Sequence, residues 1–371
     1  MRKVKTAVIG CGAISDIYLA NMTARYSSLE VTACAANHIE SAQKKAQKYG
    51  IRAMTVGDVL VDPEIEMVVV LTPVPTHYEL IKKALNAGKH VYTEKTLALT
   101  LEQAEELAAL AKEKGLRLAS APETFLGSAL QTARKAIDEG ICGEITSFHI
   151  TANRDLTVLA GLFHFLRQPG GGICQDYGVY YLTALVSLLG GVKQVYAVTG
   201  NHAEKRVNPV PFSPEYGKEY VYANEAQVSA LITLQSGVTG TFALNGDSAM
   251  QDQAYFTVHG TKGILQLSDA NAFGGEIRFL ENHPQKCEWK VLEPVSDLSD
   301  NCRGIGPADL AYAIIHDVPH YASAQLACHV LDSIGTILKS GSSGQVCMTN
   351  TVCERPAPFN RWRSLLKESG K

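Results

Sequence analysis

Long apolar runs, a strong net charge and paired cysteines are all missing from this chain. No segment approaches the roughly 18 consecutive apolar residues that a membrane span requires, so the sequence predicts no insertion into a membrane. The net charge is −3 over 371 residues, which supplies no basic surface for a nucleic-acid backbone. A hydrophobic content of 46% and a charged content of 19% are typical of a soluble globular protein.

The nine cysteines are scattered, and no two of them form a C-x-x-C pair. An odd number of unpaired cysteines favours reduced thiols and therefore a cytoplasmic protein. The same spacing argues against a zinc knuckle, and we expect no metal, because no ligand cluster stands at binding spacing. The basic and apolar opening MRKVKTAVIG could be mistaken for a signal peptide, but the glycines that follow it fit a nucleotide-binding loop better.

The first third of the chain alternates short apolar runs with helical patterns. KTAVIG (5–10), LEVTACAA (29–36), EMVVVLT (66–72) and KHVYTE (89–94) each precede a segment with helical periodicity. Strands that are apolar throughout and separated by helices are typical of a parallel sheet covered on both faces. The sequence therefore predicts a doubly wound α/β domain over residues 1–122.

After about residue 123 the pattern changes to longer alternating strands. EITSFHITANRD, EAQVSALITLQSGVTGTFALNG and QAYFTVHGTKGILQLSD alternate polar with apolar residues and contain turns typical of hairpins. Helical patterns return near 173–189, 307–316 and 321–339. These features predict an α+β domain over residues 123–371 with a large, open, mainly antiparallel sheet. The final CERPAPFNRWRSLLKESGK is either a packed extension or an arm that contacts a partner, and the sequence leaves both open.

A glycine-rich loop follows the first predicted strand and begins the first helix. It contains Gly10, Gly12, Ala13 and Ile14 in the sequence GCGAIS. One glycine permits the tight turn, the next lets the backbone approach a pyrophosphate, and the helix N-terminus favours the negative charge. We therefore predict a dinucleotide cofactor bound by these four residues.

The second predicted strand lacks the acidic residue that usually binds the adenine ribose of NAD. It ends with Ala36, Asn37 and His38, of which Asn37 can hydrogen-bond a ribose. A small residue leaves room for the 2′-phosphate of NADP, but no arginine stands beside it to neutralise that charge. The pattern leaves both cofactors open, with NAD(H) slightly favoured over NADP(H).

Glu94 and Lys95 stand at the carboxyl end of a predicted parallel strand, where doubly wound sheets bind their ligands. A lysine beside a nicotinamide can exchange a proton with a substrate hydroxyl while hydride leaves the carbon. The alternative is a surface ion pair. Three further stretches favour the catalytic interpretation. They are LTPVPTH with Thr72, Pro73 and His77, APETFLG with Glu123, and GGGICQDYGVYYLTALVSLLG with Asp176, Tyr177 and Tyr180.

In their order and spacing these motifs, together with GCGAIS and EKTLALT, resemble the glucose-fructose oxidoreductase and inositol dehydrogenase family (Gfo/Idh/MocA) over nearly the whole chain. The resemblance implies an N-terminal Rossmann domain and a C-terminal domain whose open sheet supports substrate binding and assembly into a homo-oligomer. Carried over by position, it implies Lys95, Asp176 and Tyr180 as catalytic residues. Tyr180 stands where relatives have histidine, and Thr96 stands where they usually have proline. A phenol is a poor base at neutral pH unless a cation such as Lys95 assists it.

The remaining candidates line the same two predicted pockets. Arg154 and His164 are candidates for contacts with sugar hydroxyls, and His164 is also a candidate to replace the missing histidine, although a solvated loop is the alternative for both. Asp176 has a helix cap as its alternative, and Tyr181 is expected in the core. Cofactor contacts are predicted for Thr72, Pro73, His77, Glu94, Lys95 and Glu123. Substrate contacts are predicted for Lys95, Arg154, His164, Asp176, Tyr177 and Tyr180.

These features predict an NAD(P)-dependent oxidoreductase that moves hydride between the cofactor and a secondary hydroxyl or ketone of a sugar, cyclitol or glycoside. The resemblance includes glycoside 3-dehydrogenases, which favours oxidation at the sugar C3 position. Two alternatives stay open. One is a glycoside-cleaving enzyme that oxidises its substrate transiently and returns the hydride, so that no net redox change occurs. The other is a dinucleotide-binding protein without catalysis.

Overall fold

The computed structural model describes residues 2–250, 253–285 and 288–367. Within these ranges no helix combines the length and the apolar composition that crossing a bilayer requires. The chain forms two compact units, and the first of them is discontinuous in sequence. Among the described residues, the first unit comprises 2–126, 301–328 and 359–367, and the second comprises those between 127 and 300 together with 329–358.

Strands and helices alternate along the N-terminal segment of the first unit, because apolar strands are separated by helices with one apolar face. In chain order they are β1 (Val4–Ile9), α1 (Ser15–Ala24), β2 (Leu29–Ala35), α2 (Ile39–Tyr49), β3 (Arg52–Met54), α3 (Val56–Val61), β4 (Met67–Val70), α4 (His77–Asn86), β5 (His90–Thr93), α5 (Leu101–Glu113) and β6 (Leu118–Ser120).

These six strands form one sheet in the order β3-β2-β1-β4-β5-β6, and every neighbouring pair is parallel. The chain changes direction across the sheet between β1 and β4, which is the position where such sheets bind ligands. The loops that follow β1, β4 and β5 all leave the same edge of the sheet. The predicted doubly wound domain is therefore confirmed, while β3 and α3 are short elements that the sequence pattern did not predict.

The second unit contains a large sheet, a separate pair of short antiparallel strands and a few helices between residues 128 and 291. In chain order these elements are α6 (Ser128–Asp138), β7 (Ile145–Asn153), α7 (Leu156–Leu162), α8 (Val179–Leu189), β8 (Val192–Gly200), β9 (Lys205–Val207), β10 (Glu219–Val221), β11 (Gln227–Leu234), β12 (Thr239–Asn245), β13 (Gln253–Gly260), β14 (Gly263–Leu267), β15 (Arg278–Glu281) and β16 (Lys290–Val291).

Four further elements complete the described chain, namely α9 (Ile305–His316), α10 (Ala324–Ser343), β17 (Cys347–Met348) and α11 (Trp362–Leu365). The large sheet has nine strands in the order β16-β15-β14-β13-β7-β12-β11-β8-β17. All neighbouring pairs are antiparallel except β7 and β12, which run parallel. The predicted open, mainly antiparallel sheet is confirmed, whereas α7 and β8 were not predicted.

One face of this sheet is buried and the other is open, as the alternating burial along β11 and β12 shows. Leu244 and Phe242 of β12 lie on the buried face, where a Cβ on Gly178 would come within 2.8 Å and 3.2 Å of their side chains. The segment that precedes α8 therefore packs directly on the sheet.

From residue 359 to residue 367 the C-terminal tail is a packed extension of the first unit. The N–H of Ser27 donates to the carbonyl of Leu365 at 2.8 Å, and the N–H of Lys367 donates to the carbonyl of Arg25 at 2.8 Å. The tail is therefore bound to the connection between α1 and β2. The predicted functional division at residues 122 and 123 stays a prediction.

Candidate active site

The loop between β1 and α1 has the backbone conformation and the space that a pyrophosphate requires. Gly10 has a φ of +111°, and a Cβ at this residue would lie 2.8 Å from the carbonyl carbon of Leu71. A side chain there would clash with fixed backbone. Among the described residues, no atom lies within 4 Å of the position that a Cβ on Gly12 would take. Together with Ala13 and Ile14, which lead into the N-terminus of α1, the loop fits a dinucleotide phosphate.

The residues that would hold the adenosine end follow β2. The N–H of Gly10 donates to the carbonyl of Ala35 at 2.8 Å, which joins the glycine loop to the end of this strand. Asn37 stands two residues further along and is exposed. Its predicted contact with the ribose is compatible with this place and stays a prediction.

Glu94 fixes the backbone of the residue that follows it. Its Oε2 accepts the N–H of Lys95 at 3.0 Å, and its Oε1 accepts the hydroxyl of Tyr18 at 2.8 Å. Tyr18 is fully buried, and burial together with the carboxylates of Glu123 and Glu94 raises its pKa well above the ordinary value, so that it stays a donor. Lys95 is half-buried just beyond β5, and the peptide bond between Lys95 and Thr96 is cis. The pair is therefore more than a surface ion pair, since Glu94 holds the Lys95 backbone.

His77 lies between two of the loops at the same edge of the sheet. Its Nε2 is 2.7 Å from the carbonyl oxygen of Thr72, and its Nδ1 is 2.7 Å from the carbonyl oxygen of Thr96. The ring is completely buried, and burial lowers the pKa of His77. Pro73 directly follows Thr72 in the first of these loops. Both ring nitrogens of His77 are thus directed at backbone oxygens, while the predicted contact of this region with the cofactor stays a prediction.

Glu123 connects the end of β6 to the start of α9. Its carboxylate accepts the N–H of Gly304 at 2.7 Å and also the N–H of Gly306. Its side chain is buried, and burial raises the pKa of Glu123 to about 7. A Cβ on Gly306 would lie 2.5 Å from both Glu123 and Tyr92, so only glycine allows this approach. Glu123 therefore holds the backbone at the start of α9. Its predicted contact with the cofactor stays a prediction.

Three of the predicted substrate residues come together in the second unit. Asp176 and Tyr177 lie in a π-helical turn, Cys174–Gly178, that precedes α8, and turns of this kind are frequent at functional sites. Nη1 of Arg154 is 3.6 Å from Oδ2 of Asp176, and the guanidinium lies 3.9 Å from the centre of the Tyr177 ring. Asp176 is 9% exposed. A buried carboxylate, a cation and an aromatic face therefore meet at one place.

Tyr180 and His164 are the other two predicted substrate residues of the second unit. Tyr180 lies in the first turn of α8 and is 9% exposed. The side chain of His164 is 60% exposed, and its Nε2 lies 3.0 Å from Oε2 of Glu215. Glu215 also pairs with Arg167 at 3.0 Å. His164 therefore stands on an exposed turn with a carboxylate partner of its own.

Tyr181 and Asp269 support the Tyr177 ring. The sequence predicted Tyr181 as a core residue and gave no indication of Asp269. The hydroxyl of Tyr181 lies 2.6 Å from Oδ1 of Asp269 and 2.8 Å from the hydroxyl of Tyr177. The single proton of Tyr181 can serve the carboxylate, which leaves its oxygen to accept from Tyr177. The spacing of four residues between the tyrosines indicates a shared helix face. Nothing in the sequence around Asp269 distinguishes it from other loop acids.

Glu225 explains the glycine run ahead of Asp176. Its Oε1 accepts the N–H of Cys174 at 2.9 Å, and its carbonyl accepts the N–H of Ile173 at 3.1 Å. A Cβ on Gly172 would lie 2.1 Å from either carboxylate oxygen of Glu225. Burial raises the pKa of Glu225. The glycines therefore admit a partly buried acid that holds the first N–H groups of the π-helical turn. Across the part of the chain that the structure describes, no group of three or more His, Cys, Asp or Glu side chains is arranged to hold a metal ion.

Comparison with known proteins adds two family models and several relatives. A model of an oxidoreductase family with an NAD-binding Rossmann fold matches residues 4–121, and the model of the GFO/IDH/MocA C-terminal domain matches residues 130–266. An uncharacterized oxidoreductase of Schizosaccharomyces pombe is 34% identical over 57% of this chain and 58% of its own length. The chain thus spans little more than half of that relative.

Two further proteins are similar over more of their length. The D-glucoside 3-dehydrogenase of Escherichia coli is 30% identical over 65% of this chain and 71% of its own. The solved structure of a levoglucosan dehydrogenase superimposes with a TM-score of 0.83 at 20% identity, covering 95% of this chain and 100% of the other. At that identity the superposition shows a shared fold.

Proposed function

This chain belongs to the Gfo/Idh/MocA family of oxidoreductases, and from that membership we propose that it is a nicotinamide-dependent dehydrogenase acting on a carbohydrate hydroxyl. The observation that carries the proposal lies at one edge of the first sheet. There the glycine loop after β1 and Lys95 after β5 flank the loop after β4. A dinucleotide bound at the glycine loop after β1 would therefore lie at the same sheet edge as the half-buried Lys95, which follows β5, two strands away.

The chemistry divides between the cofactor and the protein. When bound, the nicotinamide supplies the hydride acceptor. Gly10 and Gly12 hold the phosphates, and Lys95 takes the hydroxyl proton during oxidation or returns it during reduction. Asp176, fixed beside Arg154, orients the hydroxyl, and Tyr180 is the second proton-transfer residue. In this proposal residues 1–122 form the cofactor domain and residues 123–371 the substrate domain.

We propose NAD(H) as the cofactor in preference to NADP(H). The end of β2 offers Asn37 to the ribose, and no arginine stands beside Asn37 in the sequence to pair with a 2′-phosphate. Equilibrium binding of both oxidised cofactors, followed by protein fluorescence, tests this choice. Tighter binding of NADP⁺ than of NAD⁺ would contradict it.

We propose a glycoside or sugar as the substrate, oxidised at C3. The similarity to a D-glucoside 3-dehydrogenase supports this choice. The pairing of Arg154 with Asp176 over an aromatic ring suits the polyhydroxyl face of a sugar. We also propose that the chain forms a homo-oligomer through the open face of the second unit's sheet. Exposed apolar side chains lie on its strands, namely Tyr196, Val198, Leu231 and Tyr255.

The decisive experiment follows the reaction of the purified protein with a panel of glucosides and 3-keto sugars. Nucleotide released by denaturation is first identified by mass, and absorbance of reduced nicotinamide is then recorded with each substrate. We expect a glucoside to reduce NAD⁺ and to yield a 3-keto product. Release of the aglycone without added NAD⁺ and without net reduction would instead favour the redox-neutral alternative. No binding of either cofactor would refute the proposal.

Lys95→Ala tests the role of the lysine in the same assay. We expect kcat to fall about 10²- to 10⁴-fold while NAD⁺ still binds, because a general acid or base contributes a factor of that size. Lys112→Ala removes an exposed lysine from α5 and serves as the control. Turnover by Lys95→Ala within a few-fold of wild type would show that another group transfers the proton.

A further inference from the structure

The ring of His77 faces two acceptors and leaves neither nitrogen for a ligand. The carbonyl oxygens of Thr72 and Thr96 each lie 2.7 Å from one ring nitrogen, and the hydroxyl of Thr93 is 3.4 Å from Nδ1. Carbonyl oxygens accept hydrogen bonds and do not donate them. A neutral imidazole can therefore bond one of the two carbonyls, whereas the imidazolium can bond both.

The two carbonyls belong to loops with different predicted tasks. Thr72 follows β4 and lies against the glycine loop, since a Cβ on Gly10 would be 3.0 Å from its backbone nitrogen. Thr96 directly follows Lys95. On the other side of Lys95, its N–H is already held by Glu94 at 3.0 Å. The backbone at Lys95 is therefore fixed by Glu94 before it and by His77 after it.

We propose that His77 is a positioning residue that joins the cofactor loop to the lysine loop, and that its two nitrogens serve separate steps. The Nε2 contact with Thr72 sets the affinity for the dinucleotide. The Nδ1 contact with Thr96 sets the position of Lys95 and hence the turnover rate, because a misplacement of about 1 Å can cost about 100-fold in rate. This inference rests on the role proposed above for Lys95.

The charges around the ring fit a role in position rather than in proton transfer. Burial lowers the pKa of His77, Lys95 lowers it further, and the two carbonyls with Glu94 raise it. The ring is completely buried, so it has no direct path to bulk solvent. Its function therefore depends on the contacts that its two ring nitrogens make with these backbone oxygens.

Two conservative substitutions separate the two contacts. His77→Asn places an amide N–H near the position of Nδ1 and retains the bond to Thr96. His77→Gln places one near the position of Nε2 and retains the bond to Thr72. Each variant keeps a donor at one of the two contacts and loses the other contact, so each variant is a folding control for the other. His320→Gln removes a second largely buried ring, one that contacts the carbonyl of Leu118, and controls for loss of a histidine in general.

The measurements are kcat with saturating substrate, the Kd for NAD⁺ by fluorescence, and Tm. For His77→Gln we expect kcat to fall about 10- to 100-fold with Kd within about 2-fold of wild type. For His77→Asn we expect Kd to rise about 10-fold with kcat within about 3-fold. His320→Gln is expected to change neither constant. A loss of kcat alone in one variant and a rise of Kd alone in the other is a result that a purely structural role of His77 would not produce.

Equal effects of His77→Asn and His77→Gln on both constants, or unchanged constants with a lowered Tm, would overturn the inference. Failure of the underlying function is recognised separately. In that case the wild-type protein binds no dinucleotide, or Lys95→Ala retains full turnover. If Lys95→Ala is inactive and the two His77 variants behave alike, the proposed function stands and only the inference about His77 fails.

Discussion

At the scale of single residues, the position of Arg154 depends on its planar shape as much as on its charge. Its guanidinium lies 3.9 Å from the centre of the Tyr177 ring and 3.6 Å from the carboxylate of Asp176. A lysine would keep the charge but lose the flat stacking surface and the fixed donor geometry. The substitution Arg154→Lys therefore separates shape from charge.

We expect Arg154→Lys to lower kcat/KM for the carbohydrate about 10-fold, which corresponds to a contact worth about 1.4 kcal/mol, while the Kd for NAD⁺ stays unchanged. Steady-state kinetics with the best substrate of the panel measures the first quantity, and fluorescence titration measures the second. Arg278→Lys, at a half-exposed arginine that pairs with Glu276, is the matched control. Full efficiency of Arg154→Lys would exclude a contribution from the stacked geometry.

Glu123 gives the stability of the first unit a predictable dependence on pH. Its pKa is about 7 in the folded protein against an ordinary value of 4.5, so between these values the folded state binds more protons than the unfolded state. The free energy of unfolding must then decrease as pH rises from about 4.5 to about 7, by on the order of 3 kcal/mol from this group. Glutamine cannot titrate, so Glu123→Gln removes this dependence.

Urea unfolding at pH 5 and at pH 8 measures the effect for wild type and variant. We expect Glu123→Gln to be less stable than wild type at pH 5, because its amide can accept from only one of the two glycine N–H groups. At pH 8 the difference should be smaller. Glu40→Gln changes an exposed acid in α2 and should show the same pH dependence as wild type. A constant difference across this pH range would contradict the linkage.

At the scale of elements, Gly171 in the glycine run ahead of α8 is required by a close contact with backbone. A Cβ on Gly171 would lie 2.1 Å from the carbonyl oxygen of Leu166. Backbone atoms cannot rotate away as a flexible side chain can, so the π-helical turn with Asp176 would have to shift. We expect Gly171→Ala to lower the free energy of unfolding by about 2 to 4 kcal/mol, within the range seen for packing disruptions in a core.

The matched control is Gly335→Ala in α10. Apart from its chain neighbours and the backbone of its own helix, no described atom lies within 4 Å of the position of its Cβ, and alanine favours a helix over glycine by about 1 kcal/mol. Urea unfolding should therefore show that this variant is unchanged or slightly more stable. Equal free energies of unfolding for Gly171→Ala and Gly335→Ala would mean that the π-helical turn can shift to accept the added methyl group without loss of stability.

The sequence predicted those elements whose pattern is local. The apolar strands β1, β4 and β5 and the glycine loop were predictable because burial on both faces and a positive φ at Gly10 each require particular residues at fixed spacing. β3 and α3 span three and six residues, too few for a periodicity to show. The parallel pairing of β7 with β12 joins strands about 90 residues apart and has no local pattern.

The candidate site was likewise predictable only where its residues stand in a local sequence motif. Lys95, Asp176 and the glycines stand in motifs, whereas the residues that hold them act through distant contacts. Tyr18 reaches Glu94 across 76 residues, and Asp269 reaches Tyr181 across 88 residues. His77 was recognised as part of a motif, but its two backbone acceptors are set by the fold. Contacts of this kind depend on which strands become neighbours, and single-sequence patterns do not specify that order.

At the scale of the whole molecule, the open face of the large sheet predicts the oligomeric state. Leu231 is 59% exposed and stands opposite Tyr196, which is 43% exposed, on neighbouring strands. Exposed apolar patches of this kind mark sites of protein association. A lysine in place of Leu231 would add a charge to the centre of such an interface, where desolvating it is unfavourable.

We expect Leu231→Lys to reduce the molar mass measured by light scattering towards that of one chain, without a change in the circular dichroism spectrum. Val61→Lys is the control, because Val61 is 79% exposed and belongs to the first unit, not to this sheet. A wild-type protein that already has the mass of one chain would contradict the proposed assembly. An unchanged oligomer in Leu231→Lys would place the interface elsewhere.

The discontinuity of the first unit has a consequence for the order in which the protein is made. During synthesis, the strands of its parallel sheet leave the ribosome with residues 1–126, but Gly304, which Glu123 holds, follows only after most of the second unit. Leu365, which accepts from the N–H of Ser27, comes later still. The nascent first unit therefore stays incomplete until residue 365 has been synthesised, and a gene fragment that stops after residue 126 would encode a sheet without the segments that close around it.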